Sequence, residues 1–113
     1  MEVRAKQRHL MISPQKLRLV CDQVRGMDAE QASIVLDFMS HKGAKIIQKT
    51  LNSAIANAEN NFDLNPADLY IAKIFADEGP RLKRFTAGAR GRYKPRVRRT
   101  AHLTVILAER EEV

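Results

Sequence analysis

The chain has 113 residues, 44% of them hydrophobic and 29% charged. That is enough apolar material for one packed domain and more than a disordered polyelectrolyte carries. The formal charge is +7, from 20 Lys and Arg against 13 Asp and Glu. Apolar runs fall far short of the roughly 20 residues of a membrane span, and the alternating, charged start MEVRAKQRHL lacks the apolar stretch of a signal peptide. A single cysteine, Cys21, cannot close an internal disulfide, which fits a reducing compartment.

Residues 1–10 alternate, with Met1, Val3 and Ala5 on one side and Glu2, Arg4, Lys6 and Arg8 on the other. Side chains switch faces at each position of a strand, so this predicts a half-buried strand with a cationic outer face. Ser13-Pro14 is a helix start, a hydroxyl cap followed by proline at the first helical position. Leu17, Val20, Cys21 and Val24 follow at helical spacing, Lys16, Arg18 and Arg25 lie off that stripe, and Gly26 ends the helix. Asp28 and Gln31 have the spacing of a capping box for a second helix, whose apolar positions are Ala29, Ala32, Val35, Leu36 and Met39. Ser40 is placed to cap a third helix over residues 41–60. Its stripe is Ala44, Ile47, Leu51, Ala54, Ile55 and Ala58, and the small residues Ala54, Ala56 and Ala58 leave room for another element to approach. Asn60-Asn61 and Asn65-Pro66 mark a loop.

Residues 69–77 read as a strand with Leu69, Ile71 and Phe75 on one face and Tyr70, Ala72, Ile74 and Ala76 on the other. Residues 101–108 read as a second, with Leu103, Val105 and Leu107 alternating with His102, Thr104 and Ile106. The order strand, three helices, strand, strand predicts an α+β fold: a small three-stranded antiparallel sheet packed against three helices, in a single domain over residues 1–113.

Between those last two strands, residues 79–99 read GPRLKRFTAGARGRYKPRVRR. From residue 81 to 99 there are nine basic side chains, Arg81, Lys83, Arg84, Arg90, Arg92, Lys94, Arg96, Arg98 and Arg99, and no acidic one. The other 94 residues hold the remaining 11 basic groups and all 13 acidic ones, a net of −2. A connection this long inside a small domain carries a function or is disordered. As a protruding β-hairpin its arms reach ~30 Å at ~3.3 Å per residue, against a body whose expected radius of gyration is ~13 Å. Its charges repel, so the ribbon is expected to gain order when a polyanion surrounds it. Seven of the nine cations are arginine, whose guanidinium forks suit phosphates and can stack on bases. Gly88 and Gly91 permit a tight tip, and Phe85 and Tyr93 interrupt the charges as candidate stacking partners. Nucleic-acid binding follows from this pattern.

Five blocks then bring a family into view: Ser13-Pro14-Gln15-Lys16-Leu17-Arg18-Leu19-Val20, Ser53-Ala54-Ile55-Ala56-Asn57-Ala58-Glu59-Asn60, Lys73-Ile74-Phe75-Ala76-Asp77-Glu78-Gly79-Pro80, Ala89-Arg90-Gly91-Arg92, and Arg99-Thr100-Ala101-His102-Leu103-Thr104-Val105. In this order, over nearly the whole chain, they resemble the bacterial form of the large-ribosomal-subunit protein twenty-two family. The resemblance implies a structural, cytoplasmic, ribosome-bound protein whose partners are large-subunit rRNA, neighbouring ribosomal proteins and the nascent peptide. It implies a body near the peptide exit and a hairpin threaded into rRNA, with Ala87, Gly88, Ala89 and Arg90 at a tip that lines the exit tunnel. Ala87 and Gly88 stand where the family usually has proline and then a basic residue, so the charge lies on the arms. With the resemblance, Lys16, Arg18 and His102 join the nine cations of the segment as expected RNA contacts.

Other chemistries find little support. His9, His41 and His102 are widely spaced, so no metal site is expected. Asp77 and Glu78 are neighbours on a strand and point to opposite faces, which suits pairing with nearby arginines better than acid/base catalysis. No nucleophile with a base partner is visible, and no catalytic residue, cofactor, membrane contact or small-molecule substrate is expected. The alternatives are a DNA-associated architectural protein with a basic β-arm and a small RNA-modifying enzyme, which would need a nucleophile, an acid/base pair or a metal cluster.

Overall fold

The apolar faces of the strands and the three helical stripes can be buried by packing against one another, and the computed structural model, which describes residues 2–87 and 93–110 and the hairpin strands by their backbone, has that arrangement. The elements run β1 (Glu2–Leu10), α1 (Pro14–Val24), α2 (Ala29–Phe38), α3 (Lys42–Phe62), a 3-10 turn (Pro66–Asp68), β2 (Leu69–Glu78), β3 (Leu82–Ala87), β4 (Tyr93–Arg98) and β5 (Ala101–Glu109). The main sheet has the order β1-β5-β2, with both pairings antiparallel. β3 and β4 form a separate antiparallel pair, Leu82 opposite Arg98 and Ala87 opposite Tyr93. The fold is α+β, with α1 and α3 packed on the sheet and on each other.

The first helix begins as its sequence dictates. The Ser13 hydroxyl accepts from the Lys16 N–H, Pro14 opens the helix, and Leu17, Val20, Cys21 and Val24 are buried. Gly26 then takes φ +84°, which only glycine adopts freely, and the chain turns along β2. The Gly26 N–H donates to the Ile71 carbonyl, and the Ile71 N–H donates to the Met27 carbonyl.

Two caps differ from expectation. Asp28 is the N-cap of α2 but its side chain makes no capping bond, because its carboxylate accepts from Arg110 Nε at the far end of β5. The N-cap of α3 is His41, not Ser40, and it too makes no side-chain bond. In α3, Ala54 and Ala58 are fully buried, whereas Ala56 faces outward. Two residues of helix turn it about 200° from the stripe.

The faces of β2 also differ from strict alternation. Between Ile71 and Lys73 the β2 register shifts by one, so that Ile71 opposes Leu107 and Lys73 already opposes Ile106. An inserted residue reverses the parity of everything after it. Ile74 and Ala76 therefore join Leu69 and Ile71 in the core, and Phe75 is turned out, 40% exposed. β1 has a second irregularity between Gln7 and Leu10, where His9 has φ +57°.

β5 is the middle strand, and Leu103, Val105 and Leu107 lie in the core cluster with Val3, Leu17, Ile47 and Leu51. Each such side chain contributes roughly 1.5–3 kcal/mol on burial. Cys21 sits in this cluster, and burial pushes its thiol up to about 11. Near neutral pH a thiol-alkylating reagent should therefore leave folded Cys21 unmodified and label it only on denaturation, which mass spectrometry across a urea series would read.

Candidate nucleic-acid interface

The hairpin is fastened at its root by main chain. The Gly79 N–H donates to the Thr100 carbonyl at 2.9 Å, and the buried Thr100 hydroxyl donates to the Pro80 carbonyl at 2.6 Å. A Cβ on Gly79 would stand 2.6 Å from Thr100 Oγ1 and 3.3 Å from its carbonyl carbon. Glycine is required here by closeness, since its backbone angles are ordinary. Beside this clamp, the Glu78 carboxylate accepts from Arg81 Nε at 3.0 Å and from Arg99 at 3.3 Å. The expected pairing of this carboxylate with nearby arginines is present. Hydrogen bonds from Arg81 first, and then Arg99, hold Glu78 below its ordinary value of 4.5.

Next to the root, body and hairpin cations meet. An open pocket of about 420 Å³ is lined by Met11, Ile12, Ser13, Lys16, Lys42, Arg98 and Arg99. Among the described residues, four cations and no carboxylate line it. The first turns of α1 and α3 reach it through Ser13 and Lys42, and neither turn carries an acidic residue. Helix N-termini present unpaired N–H groups and a partial positive charge, so both add to the attraction for an anion. Lys42 Nζ donates to the Met11 carbonyl at 3.3 Å, which holds its ammonium at the rim.

Sequence reasoning named Lys16, Arg98 and Arg99 but not Lys42. In residue type Lys42 is no different from Lys45 or Lys49 on the same helix. A signal did exist in its place at the first helical position, where a cation is unfavourable to the helix and so suggests another use.

Two other expected contacts, Arg18 and His102, have structural partners. Arg18 Nε donates to the Ala76 carbonyl at 3.1 Å, and nearby Arg25 donates to the Ile74 carbonyl at 2.9 Å. Both arginines cover the free edge of β2, which would otherwise present open hydrogen-bonding groups. His102 accepts the His9 backbone N–H on Nδ1 at 3.1 Å, and the two rings meet edge-on with centroids 5.1 Å apart. That bond places the proton of a neutral His102 ring on Nε2.

Of the remaining cations, Lys83 and Arg84 are on β3 and Lys94 and Arg96 on β4, with Arg84 opposite Arg96. Arg90 and Arg92 lie outside the described residues, as do Gly88 and Ala89 of the expected tip; Ala87 is the last residue of β3. Among the described residues no three His, Cys, Asp or Glu side chains gather as a metal site, and no helix is long and apolar enough to cross a membrane.

Two outcomes test the root. Gly79→Ala should destabilise the protein by about 1–3 kcal/mol, the usual penalty of overpacking, measured by urea unfolding. In an NMR titration, Glu78 should protonate below 4.5. Because its folded value is depressed, the stabilisation it gives is complete above 4.5 and disappears as pH falls through the lower folded value. Glu78→Gln should abolish that pH-dependent part.

The whole chain has close relatives. A family model described as ribosomal protein L22p/L17e matches residues 5–108. The large ribosomal subunit protein uL22 of Thermomicrobium roseum is 51% identical over 99% of this chain and 95% of its own length. Its counterparts from Chloroflexus aggregans and Carboxydothermus hydrogenoformans are 48% and 46% identical, each over 99% of both chains. With its α+β body, its clamped basic hairpin and these matches along nearly its full length, the chain belongs to the ribosomal protein L22p/L17e family.

Proposed function

We propose that this protein is a structural constituent of the large ribosomal subunit, cytoplasmic and ribosome-bound. It binds large-subunit rRNA through the pocket at the hairpin root and through the hairpin itself. The family is structural rather than enzymatic. The observation that carries the reading is the convergence of Lys16 and Lys42 from the body with Arg98 and Arg99 from the basic segment around one pocket. An RNA backbone passing that point neutralises both groups at once, and counterions are released from it.

The hairpin is the second half of the interface. A radius of gyration of 17.2 Å and a longest dimension of 68 Å, against ~13 Å for a compact chain of this length, support a finger built on β3 and β4 that protrudes from the body. On this reading the arms thread between RNA segments. The tip, residues 87–90, reaches the wall of the nascent-peptide tunnel, where Ala87, Gly88 and Ala89 offer little bulk or charge to a passing peptide. RNA shape and unpaired nucleotides provide specificity, since the deep A-form major groove is hard for side chains to enter. Neighbouring ribosomal proteins complete the surroundings of the body.

The test is electrostatic. Log affinity for large-subunit rRNA should fall with log salt at about 0.7 per phosphate contacted. Replacing Lys16 and Lys42 together by glutamine should reduce that slope by about 1.4, and removing residues 81–99 should reduce it by up to ~6. The body should survive the deletion, because the Gly79–Thr100 hydrogen bond leaves the two cut ends adjacent. An unfolded body, or an unchanged slope, would sink the proposal. A cell extract in which the protein travels with DNA instead of sedimenting with the large subunit would favour an architectural DNA-binding role.

A further inference from the structure

The helices cover one face of the main sheet and leave the other open. On that open face the register builds two adjacent rows. Arg4 and Lys73 flank Ile106, and Lys6 and Phe75 flank Thr104. Ile106 and Thr104 are only 4% and 3% exposed although no helix among the described residues covers them, and Ile106 is absent from the core cluster. They are buried beneath their neighbours, in the way that long cationic stems cover apolar surface while their heads stay in water. Arg4, Lys6, Arg8 and Lys73 are all exposed, and no carboxylate among the described residues pairs with them. The acidic groups on this face, Glu2 and Asp77, stand at its ends, opposite Ala108 and His102.

We infer that this open face is a second RNA surface, on which an unpaired nucleotide stacks on Phe75 while Arg4, Lys6 and Lys73 hold the flanking phosphates. A sheet with an exposed aromatic among cations is a platform for single-stranded RNA, because every base offers a face to stack and the backbone tracks the charges. A protein partner is the poorer fit, since among the described residues Phe75 is the one large exposed apolar side chain on this face and cations surround it. The inference rests on the proposal that the chain binds rRNA, but it concerns the side of the sheet away from the helices, and neither the root pocket nor the hairpin contributes to it.

The sequence contains no tryptophan, so Phe75→Trp in the full chain creates a unique reporter at an exposed position. Titration with large-subunit rRNA should quench its emission by base stacking, whereas heparin, a polyanion without bases, should bind without quenching. Phe75→Ala should weaken rRNA binding about tenfold and leave the salt slope unchanged. Arg4→Gln with Lys73→Gln should reduce that slope by about 1.4. Tight rRNA binding with no change in the emission of the Phe75→Trp variant and no loss in Phe75→Ala overturns this surface while leaving the proposed function intact. No rRNA binding by the unaltered chain overturns both. A photo-crosslinker at position 75 that captures a ribosomal protein instead of RNA, in assembled subunits, also overturns it.

Discussion

Like charges crowded on one segment repel, and this chain concentrates nine cations with no counter-charge between residues 81 and 99. Such a segment cannot be packed into an apolar core, so the fold must lead it out and fasten it where it leaves. The Gly79–Thr100 main-chain bond and the Thr100–Pro80 hydroxyl bond do this. They join the end of β2 to the start of β5, strands that are already neighbours in the sheet. The strands therefore set the spacing of the hairpin arms. The absence of a side chain at Gly79 sets how closely the two can approach.

The remainder of the chain is nearly neutral, and its charges are divided by use. Arg18 and Arg25 close the free edge of β2. Arg110 bonds Asp28 and the Gly26 carbonyl and lies 4.8 Å from the centre of the Tyr70 ring, which ties the end of β5 to the start of α2. Glu78 engages Arg81 and Arg99. These pairs are exposed, so each adds little to stability; they matter by fixing direction. Lys16, Lys42 and Arg98 are different, for they converge on one another with no acid among the described residues of the pocket lining. Placing like charges together costs free energy in the unbound protein, and a phosphate backbone would recover that cost.

Much of the architecture was legible because it is written in periodicity. The Ser13-Pro14 start, the α1 stripe and the Val3 and Ala5 alternation are local signals, and the structure follows each. What failed were features decided by distant partners. Asp28 has the right neighbours for a capping box, yet Arg110, 82 positions away, takes its carboxylate. Lys42 is one lysine among several until folding brings the start of α3 beside the start of α1 and the end of β4. The charge of the site was visible in the sequence, but its geometry was not.

The β2 irregularity unites these levels. Without the extra residue between Ile71 and Lys73, strict alternation would send Phe75 inward and expose Ile74 and Ala76. With it, two apolar side chains enter the core and one aromatic ring is placed among cations on the open face. A bulge costs ladder pairing, and it is retained where it redirects a side chain usefully. In this fold one shift satisfies the core on one side of the sheet and equips the other side for a ligand. That the segment immediately after the bulge leads, within a few residues, to Glu78 and Gly79 means the same strand orients the open face and the hairpin root. An RNA bound on both would be held by a single rigid element.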